Sequence, residues 1–187
     1  MNPQDILNFW FNELTPADWF AKSDALDTKI RKRFGEVLVA CAAGECWRWR
    51  ADDAAGAGTG GLGRLAEILV LDQFSRNVYR DDARAFAQDP MALALAQEAV
   101  ARGVDRAMDA SQRAFLYMPY MHSESLVVHD EAIRLFDQPG LETNYDFEVK
   151  HRDIIVRFGR YPHRNALLGR ASTPSELEFL SQPGSSF

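Results

Sequence analysis

Arginine and asparagine side chains are concentrated in two segments, residues 72–80 and 158–170, each near the expected end of a helix. A guanidinium group can hold a carboxylate or a phosphate through two parallel hydrogen bonds, and a side-chain amide adds a further donor. Both segments therefore predict the binding of an anion. The candidate binding residues are Asp72, Arg76, Asn77, Arg80, Arg160, Arg164 and Asn165.

The second segment lies in a basic stretch of an acidic chain. Residues 150–170 contain six Lys or Arg and one Asp, whereas the formal net charge of the whole protein is −6. Such a stretch suits a small anionic ligand or a peptide carboxylate. It suits equally well a set of internal ion pairs with the acidic remainder of the chain. Both interpretations remain open at this point.

Three residues are candidates for acid–base catalysis: His122, Glu124 and His163. Histidine changes its charge near neutral pH, and a carboxylate can orient its ring. Adjacent residues on a helix do not face each other, so His122-Ser123-Glu124 cannot form a catalytic triad by itself. No activated nucleophile accompanies these residues in the sequence, which weakens the case for an enzyme.

No metal site and no cofactor are predicted. His122 and His129 are two helical turns apart, a weaker metal-binding pattern than a His-x-x-x-His pair. The glycine-rich residues 54–63 formally contain a dinucleotide fingerprint, but that motif requires a preceding strand, and the sequence before it does not predict one. We expect residues 54–63 to form a flexible loop.

Asp72 continues the apolar stripe formed by Ile68 and Leu69, and Arg76 follows it at the spacing of an ion pair within one helix. A buried Asp–Arg pair that holds the end of this helix is the structural alternative to ligand binding. His151 also falls on an apolar helix face, which predicts a core histidine bonded to a carbonyl or carboxylate.

The elements that position these residues are predicted to be helices. Asn2-Pro3, Thr15-Pro16, Asp89-Pro90 and Thr173-Pro174 each place a capping residue before proline at the first helical position. Apolar residues recur at helical spacing, and no segment alternates with period two. The sequence therefore predicts an all-α fold of antiparallel helical hairpins. The predicted helices span residues 3–13, 16–21, 24–43, 62–74, 90–102, 110–121, 123–137, 144–158 and 174–181.

Several motifs occur in order along almost the whole chain, from Phe9-Trp10-Phe11 to Phe179-Leu180. They are Leu71-Asp72-Gln73-Phe74-Ser75-Arg76-Asn77, Tyr79-Arg80, Ala85-Phe86-Ala87-Gln88-Asp89, Tyr117-Met118-Pro119, His122-Ser123-Glu124, Phe158 to Asn165, and Leu168-Gly169-Arg170. In these motifs the chain resembles the bacterial domain-of-unknown-function family DUF924. The resemblance implies a tetratricopeptide-like helical fold and no established activity. Ser75, Asp81 and His129 depart from the pattern, in which proline, glycine and a non-histidine residue are usual.

The length of 187 residues and the 47% hydrophobic content predict one helical domain over residues 1–187. A pI near 5.2 argues against a general nucleic-acid binder. The longest apolar run, Val37 to Ala43, is too short to span a membrane, and we expect no membrane partner. We expect no export signal, and the two cysteines suit a reducing compartment, so we expect a cytoplasmic protein.

Three functions are compatible with these features: a module that binds an anionic ligand, a hydrolase-type enzyme with a His/Glu acid–base pair, and a purely structural or interaction domain. We predict that the two arginine segments converge with His122 and Glu124 on one polar cavity. A solvent-reachable cluster favours the first two functions, whereas complete internal pairing of the charges favours the third.

Overall fold

The computed structural model describes residues 2–51 and 61–185. Within these ranges the protein is all helical and contains no β-strand, which confirms the predicted fold class. The α-helices are α1 (Pro3–Asn8), α2 (Pro16–Trp19), α3 (Asp24–Ala42), α4 (Leu62–Leu69), α5 (Ser75–Val78), α6 (Asp89–Ala101), α7 (Ala110–Met121), α8 (Leu126–Phe136), α9 (Glu142–Phe158) and α10 (Pro174–Leu180).

Three of the four predicted proline-marked helix starts are confirmed. Asn2, Thr15 and Thr173 are the N-cap residues of α1, α2 and α10, and each takes part in a capping box. The fourth expectation is wrong by one residue, because Gln88 occupies the N-cap position of α6 and Asp89 is the first helical residue. The carboxylate of Asp89 is consequently available for other partners.

Two predicted helices contain a π-helical segment. The predicted helix 3–13 consists of α1 followed by Phe9–Glu13, and the predicted helix 62–74 consists of α4 followed by Val70–Phe74, which leads directly into α5. A π-helical turn inserts an extra residue and often accompanies a functional site. The second segment carries Asp72.

The helices α8 and α9 pack as antiparallel neighbours across a short connection, residues 137–141. His129 of α8 bonds to Glu148 of α9, and the two residues lie at similar distances along the chain from that connection, as antiparallel packing requires. The connection from α7 to α8, residues 122–125, is also short. It contributes Glu124, which accepts a hydrogen bond from the backbone N–H of Tyr161, beyond the end of α9. These contacts bring residues 122–124 beside the segment that follows α9.

The main core is built around aromatic side chains from α3, α7 and the π-helical segments that follow α1 and α4. The ring centroids of Phe34 and Phe74 lie 5.1 Å apart. The ring centroid of Trp10 lies 5.7 Å from that of Phe74 and 5.3 Å from that of Phe115. All four side chains are buried. A second, smaller cluster of Ile154, Ile155 and Tyr161 anchors the segment after α9.

Two backbone features bear on the sequence patterns. Of the predicted flexible loop 54–63, residues 54–60 lie outside the described residues, and Leu62 and Gly63 do not belong to a loop, since they form the first turn of α4. Asp81, the residue that was expected to depart from the usual glycine of the resemblance, has a φ of 61°, in the left-handed region that favours glycine. No helix within residues 2–51 and 61–185 is both long enough and apolar enough to cross a membrane.

Candidate functional site

Five charged or titratable side chains from different elements form one connected group, which we call the central cluster. Its members are Asp72, Arg76, Asp89, His122 and Arg164. The segment Val70–Phe74, α5, α6, the C-terminus of α7 and the turn Pro162–Arg164 supply one residue each. The chain thus brings together both arginine segments that the sequence singled out.

Asp72 lies at the buried end of the central cluster, with 1% of its side chain exposed. Its Oδ1 is 2.7 Å from Nδ1 of His122 and 3.1 Å from Nη1 of Arg76, and its Oδ2 accepts a hydrogen bond from Gln73. Burial opposes ionisation, but the charges of Arg76 and His122 and these hydrogen bonds outweigh it and lower the pKa of Asp72. The predicted ion pair of Asp72 with Arg76 is therefore confirmed, and Asp72 is a carboxylate.

Arg76 donates hydrogen bonds to protein groups from both of its terminal nitrogens. Its Nη1 and Nη2 donate to the two oxygens of Asp89 at 3.0 and 3.1 Å, and Nη1 also donates to the carbonyl of Asp72. Burial lowers its pKa, but the two carboxylates outweigh that effect and raise it. Arg76 therefore holds Asp72 and Asp89 together and is well compensated.

Arg164 is the least compensated charge of the central cluster. Its side chain is only 8% exposed, its Nη1 donates to Asp89 at 3.2 Å, and its buried Nε has no acceptor among the described residues. The guanidinium carbon lies 4.6 Å from the ring centroids of both Phe86 and Tyr161. Burial and the charge of Arg76 lower the pKa of Arg164, although Asp89 opposes this. Two aromatic faces thus hold a guanidinium whose donors are not all satisfied.

His122 is the one acid–base candidate that joins the central cluster. Because Asp72 is ionised, it accepts the hydrogen bond and Nδ1 of His122 carries the proton. The Nε2 atom has no hydrogen-bond partner in the described ranges, and 15% of the side chain is exposed. Burial and Arg76 lower the pKa of His122, whereas Asp72 raises it less strongly. A neutral ring with an available Nε2 can accept a proton.

The other two acid–base candidates have different surroundings. Glu124 accepts two hydrogen bonds from Arg170 and one from the backbone of Tyr161, so its carboxylate holds two parts of the chain together. The ring of His163 packs 5.4 Å from that of Tyr161, and burial together with Arg164 lowers the pKa of His163 to about 4. The carboxylate bonded to His122 is that of Asp72, whereas Glu124 is bonded to Arg170.

Four of the predicted binding residues do not reach the central cluster. Asn77 and Arg80 both bond to Asp27 of α3, so they fasten α3 to α5. Asp27 precedes both residues by about fifty positions in the chain, so the local sequence pattern does not reveal it as their partner.

Arg160 and Asn165 point toward the C-terminal part of the chain. Arg160 forms a two-point ion pair with Glu176 of α10 and also donates to the carbonyl of Ala171. Asn165 donates to Ser172. Both residues tie the segment after α9 to the chain that leads into α10, so the central cluster contains only part of the residue set predicted for a single cavity.

Sequence reasoning missed three residues that shape this site: Asp89, Phe86 and Tyr161. Asp89 bears the clearest signal, because it precedes proline, but that pattern led to a capping role. Within the described residues, no group of three or more His, Cys, Asp or Glu side chains is arranged to hold a metal ion.

The fold and the site define an all-helical protein with a partly compensated arginine–carboxylate cluster. The chain belongs to the family described as bacterial protein of unknown function (DUF924), whose model matches residues 6–184. Among solved structures it is similar to a protein of unknown function from Agrobacterium tumefaciens, with 38% sequence identity, a TM-score of 0.86 and 96% of each chain covered. No curated protein matches the chain.

Proposed function

We propose that this protein binds a small anion, a carboxylate or an oxyanion such as phosphate, at the central cluster. The observation that carries the proposal is the state of Arg164. A cation that is nine-tenths buried, with a donor that lacks an acceptor, is costly unless a further anion completes its bonding. The aromatic faces of Phe86 and Tyr161 keep this cation in place.

Access from solvent supports the same function. The side chains of Arg76, His122 and Asp89 keep 21%, 15% and 14% of their surface exposed, so the central cluster is not sealed in the core. Asp89 already occupies the space between Arg76 and Arg164, which is the arrangement that a carboxylate adopts between two guanidinium groups. In this proposal the ligand supplies the acceptor that the Nε of Arg164 lacks among the described residues.

The two alternatives have less support. The hydrolase was expected to use Glu124 with a histidine, His122 or His163, but both oxygens of Glu124 accept hydrogen bonds from Arg170 and His122 bonds to Asp72. A purely structural role describes Arg80, Arg160 and Arg170, each of which forms two hydrogen bonds to one carboxylate. It does not account for Arg164, whose pairing is incomplete.

The experiment is an NMR titration of the protein with sodium sulfate and, separately, sodium acetate. We expect saturable shifts of backbone amide signals around Asp89 and Arg164. Replacing Arg164→Met removes charge-assisted hydrogen bonds worth about 1.5–3 kcal/mol, so the affinity should fall about tenfold or more.

Arg152→Met is the matched control, because Arg152 of α9 also pairs with an aspartate, Asp130 of α8, but does not belong to the central cluster. This variant should bind both anions like the parent protein. Absence of saturable binding by the parent, or equal affinities for the parent and Arg164→Met, would contradict the proposed function.

A further inference from the structure

The charges of the central cluster are balanced before any ligand is present. Asp72 and Asp89 carry two negative charges, and Arg76 and Arg164 carry two positive charges. An anion that enters this largely buried group adds a negative charge without a counter-charge. Such a charge is unfavourable in surroundings from which water is mostly excluded.

His122 is the member of the cluster that can supply the missing positive charge. Its Nδ1–H is committed to Asp72 at 2.7 Å, so the ring is fixed in orientation and tautomer. Its Nε2, which has no partner among the described residues, is an acceptor while the ring is neutral and becomes a donor when the ring is protonated. Protonation therefore adds both a charge and a hydrogen-bond donor at the same place.

We infer that the anion binds together with one proton, which Nε2 of His122 takes up from solvent and offers to the anion as a hydrogen-bond donor. This inference rests on the proposed function of the central cluster. It assigns His122 a role in binding, and it makes the affinity for the anion depend on pH. In the step itself the Nε2 lone pair forms an N–H bond with a solvent proton, and no other covalent bond changes.

The surroundings of His122 support this assignment. The titratable and charged groups that face its ring from the neighbouring elements are Asp72, Arg76, Asp89, His151 and His163. Burial and the charge of Arg76 lower the pKa of His122, which favours the neutral ring in the ligand-free protein, and the negative charge of a bound anion would raise this pKa. Burial lowers the pKa of His151 to about 3 and, with Arg164, that of His163 to about 4. Neither of these rings takes up a proton near neutral pH.

The test is to measure the dissociation constant for sulfate by NMR between about pH 6 and about pH 8, the range in which histidine titrates. Sulfate keeps the same charge across this range, so any change in affinity reports on the protein. For the parent we expect the affinity to increase by up to about tenfold for each unit by which the pH is lowered. In the same samples, the imidazole signals of His122 should report a higher pKa with sulfate than without it.

Two variants test whether His122 is the residue that takes up the proton. His122→Asn keeps a hydrogen-bond donor for Asp72, but the new side chain cannot be protonated. This variant should therefore bind sulfate more weakly, and its affinity should depend little on pH. His163→Gln removes a neighbouring histidine outside the central cluster and should preserve the pH dependence of the parent.

The outcomes separate this inference from the proposed function. If the parent binds sulfate with an affinity that does not change with pH, or if the imidazole pKa of His122 is the same with and without sulfate, the inference is wrong and the anion site remains. If the parent shows no saturable binding at any pH, both are wrong. The imidazole measurement on the parent decides the matter even if His122→Asn does not fold.

Discussion

Arg164 and Asp89 are 75 residues apart in the chain, and Nη1 of Arg164 donates to Oδ2 of Asp89 at 3.2 Å. Asp89 depends far less on this contact than Arg164 does, because Arg76 bonds to both oxygens of Asp89. The relationship is therefore unequal: the carboxylate is satisfied without Arg164, whereas the buried Nε of Arg164 lacks an acceptor in the described chain.

This inequality predicts the stability of Arg164→Met. Methionine preserves much of the side-chain volume between Phe86 and Tyr161 and removes a buried cation, while Asp89 keeps its bonds to Arg76. We expect the free energy of unfolding in urea to be equal to that of the parent or higher, as is common when a binding residue is replaced. A decrease of more than about 1.5 kcal/mol, the upper end of the net value of an internal hydrogen bond, would favour a structural role for Arg164.

Arg76→Met should have the opposite effect. Arg76 is the common partner of Asp72 and Asp89, so its removal leaves two largely buried carboxylates with too little positive charge. We expect the free energy of unfolding to decrease by about 3 kcal/mol. The control is Arg84→Met, which removes an exposed pair with Asp82 and should cost less than about 1 kcal/mol. Equal effects of the two substitutions would show that the central cluster does not depend on Arg76.

Two glycines in helices should respond differently to alanine. A Cβ atom on Gly63 would lie 1.9 Å from the carbonyl oxygen of Trp49, so α4 must move away from that backbone. We expect Gly63→Ala to destabilise the protein by about 1–3 kcal/mol. Gly35 lies within α3, and a Cβ atom there would meet no other atom within 4 Å, so Gly35→Ala should stabilise by about 0.5–1 kcal/mol. Thermal unfolding should show a lower melting temperature than the parent for Gly63→Ala and a higher one for Gly35→Ala.

The pair of Arg160 with Glu176 predicts a dependence of stability on pH. Hydrogen bonds from Arg160 and from the backbone of Thr173 lower the pKa of Glu176 to about 2, from 4.5 in an unfolded chain. A lowered carboxylate pKa stabilises the folded state above pH 4.5, and this contribution is lost as the pH falls toward about 2. The variant Arg160→Met should therefore lose less stability over this interval than the parent, as measured by urea unfolding at each pH. A parallel loss in both proteins would show that Arg160 does not set the pKa of Glu176.

Local patterns in the sequence predicted the helical fold and many of its boundaries. Capping residues before proline, apolar spacing and the Asp72–Arg76 pair all involve residues at most four positions apart. Within one helix, backbone geometry alone decides whether such residues meet. The predicted core position of His151 is also confirmed, since Nδ1 bonds to the carbonyl of Phe147, one turn earlier. These features could be predicted because residues three or four positions apart lie on the same face of a helix.

The tertiary structure decided which arginine meets which carboxylate. Arg80 pairs with Asp27, Arg170 with Glu124 and Arg160 with Glu176, whereas Arg164 shares Asp89 with Arg76. All these arginines have the same chemistry, and several occur in similar local motifs. Partners this far apart in the chain meet only through the packing of whole helices, because the attraction between opposite charges is not specific to one partner. The same packing buries Arg164 with an Nε that lacks an acceptor among the described residues. It also places His122 in the same cluster, bonded to Asp72 through Nδ1 and not through Nε2.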